Sequence, residues 1–194
     1  GDPAGVHARM TFATRDRYRH AVERIAKRSG HREASVAQWA IDLARACGLD
    51  CPRVGILSAV ETINTSIPST LDAAVLSKMA ERGQIRGGTV DGPLAMDNAI
   101  DLDAARTKGI QSLVAGRAEV LIVPNLEAGN MLAKELTFVA RAEAAGLVVG
   151  ARVPVILTSR ADNDRSRLAS CALALLHDHW RQTGACAVPI EPDL

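Results

Sequence analysis

Aromatic residues are scarce, at 3% of the 194-residue chain, which argues against a surface that stacks nucleobases. A charge excess of either sign is lacking too: 23 Lys and Arg stand against 22 Asp and Glu, for a net charge of +1. That balance argues against nucleic acid or a membrane surface as the main partner. No apolar run approaches the ~20 residues of a membrane-spanning helix. The N-terminus has no basic segment leading into an apolar core, so no signal peptide is expected. The four cysteines, Cys47, Cys51, Cys171 and Cys186, lack metal-ligand spacing and read as thiols in a reducing cytoplasm. His177 and His179, two apart, fall on different helix faces and read as a solvated helix end rather than a metal pair. Nucleophile-elbow, Walker and zinc motifs are all missing. The expectation is a cytoplasmic protein with no metal.

What is present centres on Ala118–Arg160. An apolar strand candidate, Val120–Val123, runs into Pro124-Asn125-Leu126-Glu127-Ala128-Gly129-Asn130. The helical pattern that follows places Leu132, Leu136, Val139 and Glu143 on one side and ends at Gly146, where a C-cap glycine belongs. Two more apolar runs, Leu147–Val149 and Val153–Leu157, lead to Thr158-Ser159-Arg160. Polar groups thus sit beyond the ends of buried strands, where open α/β sheets bind ligands. With Gly129 and Asn130 in a first helical turn, unpaired backbone N–H groups would attract phosphate. An ordinary strand–loop–helix unit explains the same spacing.

Earlier in the chain, residues 1–10 lack periodicity and read as an unstructured lead-in. Thr14 can cap a helix over Arg15–Arg28, whose basic run reads as a solvated face. Ser35 caps a second helix, with Val36, Trp39, Leu43 and Cys47 inward and Gly48 as its stop. Val54–Leu57 is a short buried strand continued by Ser58-Ala59-Val60-Glu61. Ser69-Thr70-Leu71-Asp72 opens a capped helix with Leu71, Val75 and Met79 inward, ending at Gly83. Asp91-Gly92-Pro93 reads as a turn that closes a strand. Leu94–Ile100 and Leu102–Lys108 read as helical pieces stopped by Gly109. The last helix runs from about Ser166 to Trp180 with Leu168, Cys171, Leu175 and His179 on one side, and a loose tail starts at Gly184. Repeated strand–helix units with buried strands imply an α/β fold with a mainly parallel sheet and flanking helices. Ser58, Glu61, Asp91, Asn125, Glu127, Ser159 and Arg160 fall at strand ends. Arg160 suits phosphate because its planar fork binds two oxygens at once.

The runs Val54–Glu61, Ile67–Thr70, Asp91–Leu94, Pro124–Asn130 and Leu157–Asp162 resemble the phosphate acetyl/butyryltransferase family, and most closely its phosphate butyryltransferase-like branch. The resemblance covers about residues 40–180. It implies reversible acyl transfer, acyl-CoA plus phosphate giving acyl phosphate plus coenzyme A. Coenzyme A is then a substrate, and no cofactor is needed. It also implies a fold like isocitrate and isopropylmalate dehydrogenases, with the site in a cleft between two α/β domains, and a homodimer in the cytoplasm. By resemblance Ser159 and Arg160 are catalytic: Arg160 would hold the phosphoryl group and the developing oxyanion, and Ser159 the reacting thiol or carbonyl. Asp91, Gly92, Asn125, Glu127, Gly129 and Asn130 would bind substrate. Asn125 stands where the family usually carries aspartate. The family's base position falls near Ser166, and the nearest acids, Asp162 and Asp164, are the candidate bases.

Family members run to roughly twice the matched region, so the chain reads as truncated, and its acyltransferase chemistry as crippled. The expected organisation is an atypical helical N-terminal segment over residues 1–39, an acyltransferase-like α/β domain over 40–182 and a tail over 183–194. Within the first segment, TFATRDRYRHAVERIAKRSG resembles a segment of the large cyclic β-glucan synthases. The alternative is a non-catalytic α/β module that dimerises or binds coenzyme A without turnover. A dehydrogenase-like binding fold is disfavoured, because no G-x-G-x-x-G follows a strand.

Overall fold

The computed structural model describes residues 33–159 and 163–187. The expected lead-in, the helix over Arg15–Arg28, and Arg160 and Asp162 lie outside the described residues. The described chain opens with helix α1 (Glu33–Ala46) and strand β1 (Arg53–Leu57), followed by helix α2 (Pro68–Glu81) and strand β2 (Thr89–Leu94). Two short helices come next, α3 (Met96–Ile100) and α4 (Leu102–Thr107), and then strand β3 (Val120–Ile122) and helix α5 (Leu126–Lys134). A π-helical turn (Glu135–Val139), strands β4 (Leu147–Val148) and β5 (Val155–Ile156), and helix α6 (Asp164–Thr183) complete it.

The main sheet is parallel, in the order β2-β1-β3. Its central strand is apolar on both faces, as a strand covered on both sides must be. Strand alternation sorts its side chains. Val54 and Ile56 pack with Ile41 of α1, Ala73 of α2 and Ile85. Leu57 packs with Leu94, Ala99, Ala105, Val114 and Ala115 on the other face, joined by Leu121, Val123 and Leu132. The result is a three-layer α/β unit whose buried aliphatic side chains each contribute about 1.5–3 kcal/mol. At the amino ends, Arg53 and Glu119 pair β1 with β3: the Arg53 amide donates to the Glu119 carboxylate at 2.9 Å and the Arg53 guanidinium at 2.8 Å.

Several expectations need correction. Asp91-Gly92-Pro93 does not close a strand; it lies inside β2. Asp91 pairs with Gly55, and Leu94 with Leu57, so β2 carries one extra residue where Pro93 has no N–H to give the ladder. A Cβ on Gly92 would meet the Ile56 carbonyl oxygen at 2.7 Å. Strand β1 ends at Leu57, before Ser58–Glu61. Helix α2 has no capping box: Ile67 is its N-cap without a side-chain bond, and Pro68 takes the first turn. On α2, Thr70, Leu71 and Ala73 are buried while Val75 is exposed. On α1 the buried residues are Ile41, Ala44 and Ala46, and Cys47, just past the helix, is exposed.

The largest differences lie after Val123. The helix starting at Leu126 does not reach Gly146. It widens into the π turn and ends at Ala140, and Arg141 takes a left-handed φ of 57°. Of its expected stripe only Leu132 meets the core, and Val139 is 77% exposed. Strands β4 and β5 form an antiparallel pair of two residues each, separate from the parallel sheet, and β5 is exposed. Helix α6 turns Ser170, Ala174 and His177 inward, whereas Leu168 and Leu175 are more than 70% exposed. His177 is therefore no solvated helix end.

Candidate functional site

The carboxyl ends of β1, β2 and β3 lie side by side, because Leu57 pairs with Leu94 and Ile56 with Ile122. Just beyond β1, Ser58 is buried; its amide donates to the Leu94 carbonyl, and its hydroxyl shares a 2.8 Å hydrogen bond with Ser69 at the start of α2. Glu61 follows in a bend and meets two groups from the α3–α4 segment. The Asn98 Nδ2 donates to Glu61 Oε2 at 3.2 Å, and the Lys108 ammonium lies 3.3 Å from the same oxygen. Lys108 also pairs with Asp97 at 3.0 Å. The hydrogen bond between them holds the Asp97 carboxyl below its ordinary range and the Lys108 ammonium above its own. Asn98 is fully buried, and its Oδ1 has no hydrogen-bond partner among the described residues. A buried polar atom left in that state costs stability unless water or a ligand satisfies it.

Beyond β3, Asn125 is the N-cap of α5, and its Oδ1 accepts from the Ala128 amide at 2.8 Å. That leaves the Leu126 and Glu127 amides without a hydrogen-bond partner among the described residues. Glu127 and Asn130 are exposed. Gly129 has a packing role: a Cβ there would stand 2.9 Å from a Val123 methyl, so glycine lets α5 approach the end of β3. Asp91 is half-buried within β2 and accepts from the Gly92 amide at 2.8 Å.

Ser159 meets a side chain of α5. The Lys134 ammonium donates to Ser159 Oγ at 3.4 Å, and Asn125 caps the helix's start. Asp164 opens the first turn of α6, exposed and 3.8 Å from Arg167, and Asn163 caps that helix through the Ser166 amide. The structure thus brings Ser58 and Glu61 to one strand-end crevice, with Asn125 following the adjoining strand β3. It holds Asp91 back within β2 and puts Ser159 beside the Lys134 ammonium.

Ser69, Asp97, Asn98, Lys108 and Lys134 were missed from sequence. Lys108 precedes a glycine stop and reads as an ordinary helix-end lysine. Asn98 has apolar neighbours, Ala99 and Ile100, and that context was the only signal of its burial. Among the described residues no cluster of three or more His, Cys, Asp and Glu could hold a metal ion. No helix there is long and apolar enough to cross a membrane.

A parallel α/β sheet with a polar crevice past its strand ends places the chain among the open-sheet α/β folds, in which ligands bind at such strand ends. The particular family follows from comparison with known proteins. The family model described as "Phosphate acetyl/butaryl transferase" matches residues 29–175, and the chain belongs to that family. It is 64% identical over 152 residues to a phosphate acetyltransferase of Rhizobium meliloti, covering 78% of this chain and 48% of that one. It is 51% identical over 137 residues to a phosphate butyryltransferase of Clostridium beijerinckii, covering 71% and 45%. A branched-chain phosphotransacylase from Enterococcus faecalis has a similar fold, with a TM-score of 0.66 at 34% identity over 75% of this chain and 52% of that one. The chain spans about half the length of the curated relatives it matches.

Proposed function

We propose that this chain provides catalytic residues for reversible acyl transfer between coenzyme A and phosphate. A phosphate oxygen attacks the thioester carbonyl, the C–O bond forms, the C–S bond breaks, and coenzyme A leaves as a thiolate that takes up a proton. The reverse reaction needs that proton removed by a base. Arg160 pairs with the phosphoryl group and the oxyanion, where charge accumulates. Ser159 bonds the thiol or the carbonyl. Asp91, Gly92, Asn125, Glu127, Gly129 and Asn130 line the substrate path, and Asp162 and Asp164 are the nearest candidates for the base. Coenzyme A enters as a substrate, and the mechanism invokes no metal or redox group. Family membership across residues 29–175 carries this reading, supported by the polar crevice at the strand ends.

The complete site is taken to be a cleft between two α/β domains in a cytoplasmic dimer. The exposed apolar residues of α5, β5 and α6 support burial of these surfaces against further protein. A thiol-release assay with acetyl-CoA or butyryl-CoA and phosphate tests the proposal, with Arg160→Ala as the diagnostic variant. A second reading, a module that binds without turnover, is favoured by one observation: the chain spans about half the length of the curated relatives it matches. Coenzyme A binding without phosphate-dependent thiol release would select it.

A further inference from the structure

Lys134 stands in the last turn of α5, and its ammonium donates to Ser159 Oγ at 3.4 Å. The two residues are 25 apart in sequence, so the contact is tertiary and not a pairing of helical neighbours. The same ammonium lies 5.5 Å from the centre of the Phe138 ring, four residues on. A cation is attracted to a ring face, which restricts the positions the ammonium samples. Among the described residues no carboxylate pairs with Lys134, whereas Lys78 and Lys108, the other described lysines, each meet one.

The backbone at Ser159 is held by contacts other than Lys134. Strand β5 pairs with β4, and the Leu157 amide donates to the Gly146 carbonyl at 3.1 Å. The Gly146 amide in turn donates to the buried Ser170 Oγ of α6 at 3.0 Å. What the ammonium sets is the direction of the hydroxyl. An ammonium has three donors and no acceptor, and a hydroxyl has one proton and two lone pairs. Ser159 Oγ is therefore the acceptor in this contact, and its one proton faces a different group. A cation on the lone pair polarises the O–H, so the proton is given more strongly to whatever accepts it. Such contacts are often long before substrate arrives and shorten as the reaction proceeds.

We propose that Lys134 is a positioning residue for acyl transfer: it acts through Ser159, holding the hydroxyl oxygen so that the proton is donated to the sulfur as the C–S bond breaks. The inference rests on the acyl-transfer reading above and narrows it. Arg160 takes the oxyanion in that reading, which leaves the sulfur to Ser159. A sulfur that receives this hydrogen bond leaves more readily as a thiolate, and in the reverse direction the bound thiol is more acidic.

Two readouts test it: phosphate-dependent thiol release from butyryl-CoA, and titration of the thiol of bound coenzyme A by its thiolate absorbance, with the chain alone as blank. The second needs no turnover. Lys134→Met should lower kcat about tenfold, the value of one charge-assisted contact, and leave KM for both substrates within about twofold. In a Ser159→Ala background the same substitution should cost less than about twofold, because the hydroxyl it acts through is gone. Lys134→Arg, which keeps a cationic donor, should recover most of the rate. The thiol of bound coenzyme A should be about tenfold more acidic on the parent than on Lys134→Met or Ser159→Ala. An unchanged kcat in Lys134→Met, an equal loss in both backgrounds, or equal thiol acidity on parent and Lys134→Met overturns the proposal. A folded parent that releases no thiol, yet acidifies bound coenzyme A through Lys134, sinks the turnover reading and leaves the action of Lys134 on Ser159 standing. A parent that binds no coenzyme A sinks both.

Discussion

Asn98 donates through Nδ2 to Glu61 at 3.2 Å while its own buried Oδ1 bonds nothing among the described residues. This contact ties the α3–α4 segment to the bend after β1 and gives Glu61 a fixed place in the strand-end crevice. Removing the amide deletes one charge-assisted bond and leaves a void in a fully buried site. Asn98→Ala is expected to cost about 1–3 kcal/mol, read as a lower urea midpoint at unchanged slope. A variant as stable as the parent would show that Glu61 is not held this way.

Gly92 fits beside β1 only because it lacks a side chain. An added Cβ would lie 2.7 Å from the Ile56 carbonyl oxygen and 2.8 Å from the Ile56 Cβ, both on the central strand. Gly92→Ala should therefore destabilise the chain by about 1–3 kcal/mol through overpacking, whatever the glycine does for substrate. Thermal denaturation monitored by circular dichroism decides this. An unchanged melting temperature would move Gly92 from the packing account to the substrate account alone.

Glu119 carries a pH signature. Its hydrogen bonds from the Arg53 side chain and backbone hold its carboxyl below the ordinary value of 4.5. A depressed carboxyl stabilises the fold above the unfolded-state value, and the contribution is lost as pH falls through the lower, folded value. The side chains are 29% and 40% exposed, so solvent limits the effect to less than about 1 kcal/mol. Glu119→Gln should lower stability at pH 7 and converge with the parent in acid below the folded pKa. A difference that persists there would point to lost packing rather than lost charge.

Leu168 and Leu175 stand seven residues apart on α6, one helical face, and both are more than 70% exposed. In the proposed dimer such a stripe is buried. Light scattering should report a species larger than one chain, and Leu168→Ser with Leu175→Ser should reduce its mass or its association constant. A monomer at micromolar concentration would remove this face from the interface.

The parallel core was legible because Val54–Leu57 and Val120–Val123 are continuous apolar runs, and strands buried on both faces need nothing subtler. The stop signals at Gly48, Gly83 and Gly109 also hold, each glycine taking a positive φ. Beyond Val123 the periodicity misled. The stripe of Leu168, Cys171 and Leu175 is real as a helical pattern but faces outward, and the buried side uses Ser170, Ala174 and His177. Hydrophobic spacing marks a face that wants cover; it does not say whether this chain supplies the cover. Asp91-Gly92-Pro93 failed for another reason: turn-forming residues also suit a bulge inside a strand. Of the candidate site, Asn125 was legible as a polar group beyond a strand, whereas Asn98 and Lys108 act through tertiary contacts that no local pattern encodes.

The central claim is acyl transfer, and phosphate-dependent release of thiol from acetyl-CoA or butyryl-CoA by the purified chain tests it most directly. The account predicts release that rises with phosphate and falls about 100-fold or more in Arg160→Ala, the usual loss when an oxyanion-stabilising group is removed. Release no faster than the blank from a folded chain, or release that Arg160→Ala leaves unchanged, would contradict it.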